Sequence, residues 1–198
     1  YYIMNNKNKI TIKDLIMTGI FSAIYFIFSW IVGIPLGLMV ITYLAYPFVY
    51  AIAGAIISMF FMSKVPKAWL TFVFTFIPGL PFFFMGFPPI FIAYFVLCSI
   101  FAELSRRFTG YKSIKGMKLA HVFISLTSLG QFLMIFVAKD LYYKLTVASM
   151  GETYANQLLK LPIWILFALF VSVVIGAYLG GNIGEKILRK HLNGNDFE

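Results

Sequence analysis

The chain is 198 residues long, 61% hydrophobic and 12% charged, with a formal net charge of +9. A soluble domain carries roughly 25% charged residues, so a water-soluble fold is excluded and the chain reads as an all-α integral membrane protein. The length allows about six spans of ~20 residues and no separate soluble domain, so a single six-helix transmembrane domain over residues 1–198 is expected. The basic residues lie at the ends of apolar runs, where they set orientation in the bilayer rather than form a nucleic-acid surface. The single cysteine, Cys98, sits inside an apolar run and reads as a packed core thiol.

Length and flanking charge place the spans at about 14–33, 38–63, 67–85, 88–105, 118–138 and 161–187. The run Leu15–Val32 is long for a signal-peptide core and no A-x-A-like site follows it, so it reads as the first span. Thirteen basic residues fall on one side: Lys7, Lys9, Lys13, Lys64, Lys67, Arg106, Arg107, Lys112, Lys115, Lys118, Lys186, Arg189 and Lys190. Only Lys139, Lys144 and Lys160 fall on the other. The positive-inside rule then makes both termini cytoplasmic. Trp30 and Trp164 near outer ends, and Trp69 near an inner end, match aromatic belts.

Span one carries Gly19 and Ala23 beside Thr18 and Ser22, small residues that let another helix approach closely. They serve either packing inside the bundle or docking of a different membrane protein. The second apolar run exceeds one crossing and is divided by Pro47. Either the helix kinks there, or it begins there and leaves residues 34–46 as an apolar outer loop that forms a lid.

The stretch from Phe76 to Ile92 holds four of the eight prolines, Pro78, Pro81, Pro88 and Pro89, with Gly79, Gly86 and several aromatics. Helix breakers at membrane depth are tolerated only where protein or a cavity satisfies the freed backbone groups. The stretch therefore reads as a broken hairpin at the outward mouth of a binding site.

Span five carries a polar stripe, His121, Ser125, Ser128 and Gln131, on one helical face. A rise of 1.5 Å per residue from Lys118 puts Gln131 about 20 Å above the inner surface, level with the hairpin. Its amide is either interhelical glue or a ligand contact. His121, at the cytoplasmic end, reads as interfacial. Residues 139–160 form the longest outward segment, long enough for a lid or binding loop and amphipathic enough for a short surface helix. Span six ends in Gly176, Gly180 and Gly184, a close-packing edge whose default use is inside the monomer, with Asn182 as a structural hydrogen-bonder.

The sequence holds no G-x-x-x-x-G-K-[ST] and no H-E-x-x-H or Cys/His cluster, so neither a P-loop nor a metal or other cofactor is expected. Asp14, Glu103, Asp140 and Glu185 all fall at span ends, whereas proton- or ion-coupled carriers place ionisable groups within the membrane. His121 and Ser125 have the spacing of a base and a nucleophile but lack an orienting third group or oxyanion motif. An enzyme is not expected.

Several stretches resemble the substrate-binding S components of energy-coupling-factor (ECF) transporters, within them the MptD or Trep_Strep branch. These are TIKDLIMTGIFSAIYF at 11–26, MGFPP at 85–89, AELSRRFTGYKSIKG at 102–116, MGETYANQL at 150–158 and GAYLGGNIGEKILRKH at 176–191. Relatives often carry a more polar or tryptophan-bearing sequence after the turn glycine, where this chain has Phe87-Pro88-Pro89. The resemblance implies a subunit of the bacterial cytoplasmic membrane that captures a nutrient outside and then meets an EcfT-like coupling subunit and two cytoplasmic ATPases. It implies that Gly19 and Ala23 meet the coupling subunit, and that the outer halves of the later spans and the outer loops build the site.

An apolar pocket with a few convergent polar groups is the usual small-molecule site. Tyr43, Tyr46, Phe82, Phe83, Phe87, Tyr142, Tyr143 and Tyr154 suit a planar or partly apolar ligand, with Gln131 as an amide contact and Lys139 and Lys144 as attractors of an anionic group. A vitamin-like, aromatic or tetrapyrrole ligand fits such a set. Two other readings stand beside this one: a self-sufficient facilitator or channel, oligomeric through the glycine edge of span six, and an intramembrane enzyme using His121 and Ser125.

Overall fold

A computed structural model describes residues 9–191, and Lys7 of the charge count lies outside them. Every regular element among the described residues is helical. Helix α1 (Ile12–Gly37) opens with a capping box, in which Thr11 Oγ1 accepts from the Asp14 amide and the Asp14 carboxylate accepts from the Thr11 amide. It runs on through Pro35 to Gly37, and α2 (Val40–Lys64) starts three residues later. Residues 34–46 are therefore not a loop, and α2 stays helical through Pro47. The apolar chain forms a tight helical corner in which Thr42 Oγ1 donates to the Leu36 carbonyl at 2.7 Å.

Helix α2 stops because Val65 precedes Pro66, and a residue before proline is pushed out of helical geometry. The next apolar run divides into α3 (Leu70–Phe76), a 3-10 turn at Ile77–Gly79, and α4 (Leu80–Phe84). Its fifteen residues from Leu70 to Phe84 reach about 22 Å at 1.5 Å per residue, short of a ~30 Å hydrocarbon core. The breaks follow from Pro78 and Pro81, which remove helical donors. Among the described residues five helices, not six, are long and apolar enough to cross a membrane: α1, α2, α5 (Pro89–Thr109), residues Ile114–Val137 and α10 (Trp164–His191). The Ile114–Val137 segment comprises α6 (Ile114–Leu126), a 3-10 turn and α7 (Gly130–Val137).

Residues 139–160 form two short helices, α8 (Lys139–Met150) and α9 (Glu152–Leu159), joined at Gly151, whose φ of 87° suits glycine. Helix α10 lies against α2 with its glycine edge inward. A methyl group at Gly176, Gly180 or Gly184 would meet the Phe48, Ile52 or Ala55 carbonyl oxygen, so the edge is used within the monomer. It is not free to form an oligomer seam. Asn182 accepts from Lys118 Nζ at 2.8 Å, and Glu185 pairs with both Lys118 and Arg189.

Two polar clusters tie the bundle together. Glu103, near the end of α5, is buried. Its carboxylate accepts from the Trp69 amide at 2.7 Å, the Phe72 amide at 3.2 Å and the Tyr111 hydroxyl at 2.6 Å. It supplies from another helix the cap that α3 lacks in its own sequence. Arg106, counted among the basic link residues, is also fully buried and donates to the Met62 and Tyr111 carbonyls, holding the ends of α2 and α5 together.

His121 is not interfacial: it is fully buried where α6 meets α2. Its Nδ1 lies 2.8 Å from Ser58 Oγ, and its Nε2 lies 2.7 Å from the Ala51 carbonyl and 3.2 Å from Ser125 Oγ. The carbonyl requires a donor, so Nε2 carries the proton and Nδ1 accepts from Ser58. Ser58 thus orients the ring but leaves the proton on Nε2, so Nε2 is not free to act as a base toward Ser125, and none of these residues lines the cavity described next.

Candidate functional site

The end of α1, the start of α2, the segment 80–87, Gln131 of α7 and the α8–α9 pair enclose a cavity of about 450 Å³. Its wall on α2 arises from Tyr43 and Tyr46, three residues apart and so on one helical face. Their rings are near parallel with centroids 6.2 Å apart, and Tyr43 stacks at 4.6 Å on Phe132, which fixes its direction. The Tyr43 hydroxyl donates to Gln131 Oε1 at 2.5 Å, joining α2 to α7 across the cavity.

The proline-rich segment supplies another wall. The 3-10 turn buries Pro78 and Gly79, and a methyl group on Gly79 would lie 2.5 Å from the Phe95 ring. That close approach lets α4 sit over α5 and directs Phe82 into the cavity. Gly86, at φ 89°, reverses the chain and brings Phe87 beside it, with ring centroids 5.4 Å apart. Phe91 backs both rings, and Phe95 backs Phe82.

The roof is α8 and α9, through Tyr142, Leu145, Thr146, Ser149, Met150 and Tyr154. Burial pushes the Tyr142 hydroxyl above its ordinary pKa, against the opposing effect of the Tyr43 and Thr146 hydroxyls. Burial, aided by Tyr142, takes Tyr154 to about 12. Both phenols are uncharged at neutral pH.

Of the ten residues proposed from sequence for a ligand, Tyr43, Tyr46, Phe82, Phe87, Gln131, Tyr142 and Tyr154 line this one cavity. Phe83 does not; it points outward and is 52% exposed. Lys139 is exposed on α8, and Tyr143 is half-buried with its hydroxyl 3.4 Å from Glu152. Lys144 is also exposed and off the wall. Along α8 the inward positions are 142, 145, 146 and 149, so 143 and 144 fall on other faces, while 139, a turn before 142 at the start of the helix, stands exposed beyond the wall. Sequence reasoning missed the α1 wall of Ser29, Trp30, Gly33, Ile34 and Gly37. The signal was present in Ser29, Gly33 and Gly37 at steps of four on a helix running longer than a bilayer needs.

Gly19 and Ala23 lie on the exposed side of α1, and nothing lies within 4 Å of a methyl group placed on Gly19. Their neighbours Thr18 and Ser22 face inward, where Ser22 Oγ bonds the Thr18 carbonyl at 2.8 Å. The Gly19–Ala23 face thus has no packing role in the monomer.

The fold and cavity define a multi-pass helical membrane protein with a small-molecule-sized chamber near one end. The chain belongs to the Trep_Strep family, described as a hypothetical bacterial integral membrane protein, which it matches over residues 12–193. Neither the curated proteins nor the solved structures give a match.

Proposed function

We propose that this chain is the ligand-capture S component of an ATP-driven ECF-type importer in the bacterial cytoplasmic membrane. The observation that carries the reading is the roofed cavity of about 450 Å³, within the range of roughly 300–1,000 Å³ usual for small-molecule sites. A chain with such a chamber and no P-loop of its own must borrow any ATP-driven step from partners. Here these are an EcfT-like coupling subunit and two ATPases.

The unpacked Gly19–Ala23 face of α1 is the surface assigned to the coupling subunit, where small residues let a second helix approach closely. The basic side of the sequence count makes both termini cytoplasmic and turns the cavity outward. The broken α3–α4 run then makes the sixth crossing, its freed backbone groups sheltered by protein and cavity. The chain performs no chemistry on its ligand and needs no cofactor.

The test is reconstitution. The purified chain should bind its ligand without ATP, and native mass spectrometry should find a retained small molecule. Liposomes holding this chain alone should accumulate none of it; uptake without ATPases refutes the importer reading and favours a facilitator. Gly19→Trp or Ala23→Trp should abolish co-purification with the coupling subunit while leaving ligand binding unchanged. Intact co-purification removes the docking role.

A further inference from the structure

The cavity walls narrow the ligand class, an inference that rests on the capture reading above. Among the described residues that line the chamber, none carries a charge. Lys139, at the start of α8, and Lys144, on another face of that helix, are both exposed and neither lines the chamber. The phenols that contribute hydroxyls are uncharged at neutral pH where burial holds them so, as at Tyr142 and Tyr154. A carboxylate or ammonium drawn into this chamber would lose its water and gain no counter-charge, which disfavours it strongly.

The aromatic surface is large and fixed. Tyr43 and Tyr46 are held parallel against Phe132, and Phe82 and Phe87 are braced from behind by Phe91. Preset ring faces favour a flat aromatic partner by offset or edge contact. One polar group is directed by its own bonding. Gln131 Oε1 is taken by the Tyr43 hydroxyl at 2.5 Å, which leaves the amide N–H donors of Gln131 on the cavity wall. Gln131 is half-buried on the wall, so an acceptor on a bound compound can meet its amide donors from within the cavity. The mouth is apolar as well: Trp30 and Ile34 of α1, Met85 and Met150 line the cavity and are exposed to the surroundings. Apolar rims of this kind admit uncharged compounds that partition to the bilayer interface.

We infer that the chamber takes an uncharged, planar aromatic compound bearing one carbonyl-type acceptor for the Gln131 amide, and rejects its carboxylate and ammonium counterparts. The probes are 2-naphthamide, 2-naphthoate, 2-naphthylmethylammonium and naphthalene, one ring system with four end groups. Binding to the purified full chain in detergent is read by quenching of Trp30, which lies on the wall, with Trp30→Phe as the control for signal from Trp69 and Trp164.

The amide should bind at least tenfold tighter than either ion. Gln131→Leu should weaken the amide about tenfold and leave naphthalene unchanged, and retained naphthalene binding shows that the variant still folds its cavity. Equal or tighter binding of the naphthoate or the ammonium overturns the inference. So does an amide affinity indifferent to Gln131→Leu, or a failure of all four probes to bind. The two readings fail separately. A chain that prefers the amide yet carries it unaided across liposomes loses the importer role and keeps this ligand class. A chain that prefers the naphthoate but transports only with ATPases does the reverse.

Discussion

Gly180→Ala tests the seam on which the bundle closes. A methyl group there would stand 2.6 Å from the Ile52 carbonyl oxygen, 2.7 Å from that of Ala51 and 2.8 Å from Ile52 Cα. Carbon–oxygen contacts settle at about 3.3–3.6 Å, and all three neighbours are backbone, so no side chain can swing aside. Helix α10 must withdraw from α2 by about 0.5–1 Å, which forfeits a quarter to a half of each dispersion well opened.

Overpacking of this kind costs about 1–3 kcal/mol, while alanine returns ~1 kcal/mol of helix propensity. Gly19→Ala makes the comparison sharp, because its methyl group meets nothing within 4 Å and only the propensity gain remains. The propensity gain is common to both variants, so they should differ by the overpacking cost, about 1–3 kcal/mol. At about 2–4 °C per kcal/mol for a chain of this size, that separates their unfolding midpoints by about 2–12 °C. Thermal unfolding of the purified proteins in one detergent, followed by far-ultraviolet circular dichroism, reads the gap. If Gly180→Ala unfolds at or above Gly19→Ala, the close α2–α10 contact is wrong.

Glu103→Gln replaces one of two accepting oxygens with a donor, so either the Trp69 or the Phe72 amide loses its partner; the cost should be about 1–3 kcal/mol, seen as a lower midpoint. His121→Leu strands the Ala51 carbonyl contact and the Ser58 hydroxyl and should lower the midpoint similarly. It should leave binding of the naphthamide probe unchanged, because His121 does not line the cavity. Gly79→Ala should weaken that binding by displacing Phe95, and with it Phe82, from a contact of 2.5 Å; ligand titration of the variant checks it.

Burial, with the bond to Glu103 next, holds the Tyr111 phenol above its ordinary pKa. A raised acid pKa means the folded form resists ionisation, so this contribution is intact below about pH 10 and falls as pH rises beyond it. Midpoints measured from pH 9 to 11 should fall less steeply for Tyr111→Phe than for the parent chain.

Much of the site was legible because helical spacing is local. Tyr43 and Tyr46 share a face at any tertiary arrangement, and Gln131 could be levelled with the proline hairpin by counting rises. The misassigned residues are those whose direction depends on the helix's final rotation. Tyr143 belongs to the right segment but to the wrong face of α8, Lys139 stands exposed at the start of that helix beyond the wall, and Phe83 turns outward because α4 is only one turn long.

Composition determined that this chain lives in a bilayer, since 12% charged residues cannot solvate 198 residues of mostly apolar chain. The breaks at Pro78 and Pro81 and the close-packing edge at Gly176, Gly180 and Gly184 were likewise fixed by residue type, because proline lacks a donor and glycine lacks a Cβ. Only the tertiary structure decided what those features met. Whether the glycine edge faced α2 or another molecule, whether Glu103 and Arg106 of α5 touched water or the neighbouring α3 and α2, and whether α1 joined the cavity wall all depend on contacts between residues far apart in sequence. Local periodicity carries no term for those contacts, and the burial of the two charged groups is offset by hydrogen bonds to backbone groups of other segments.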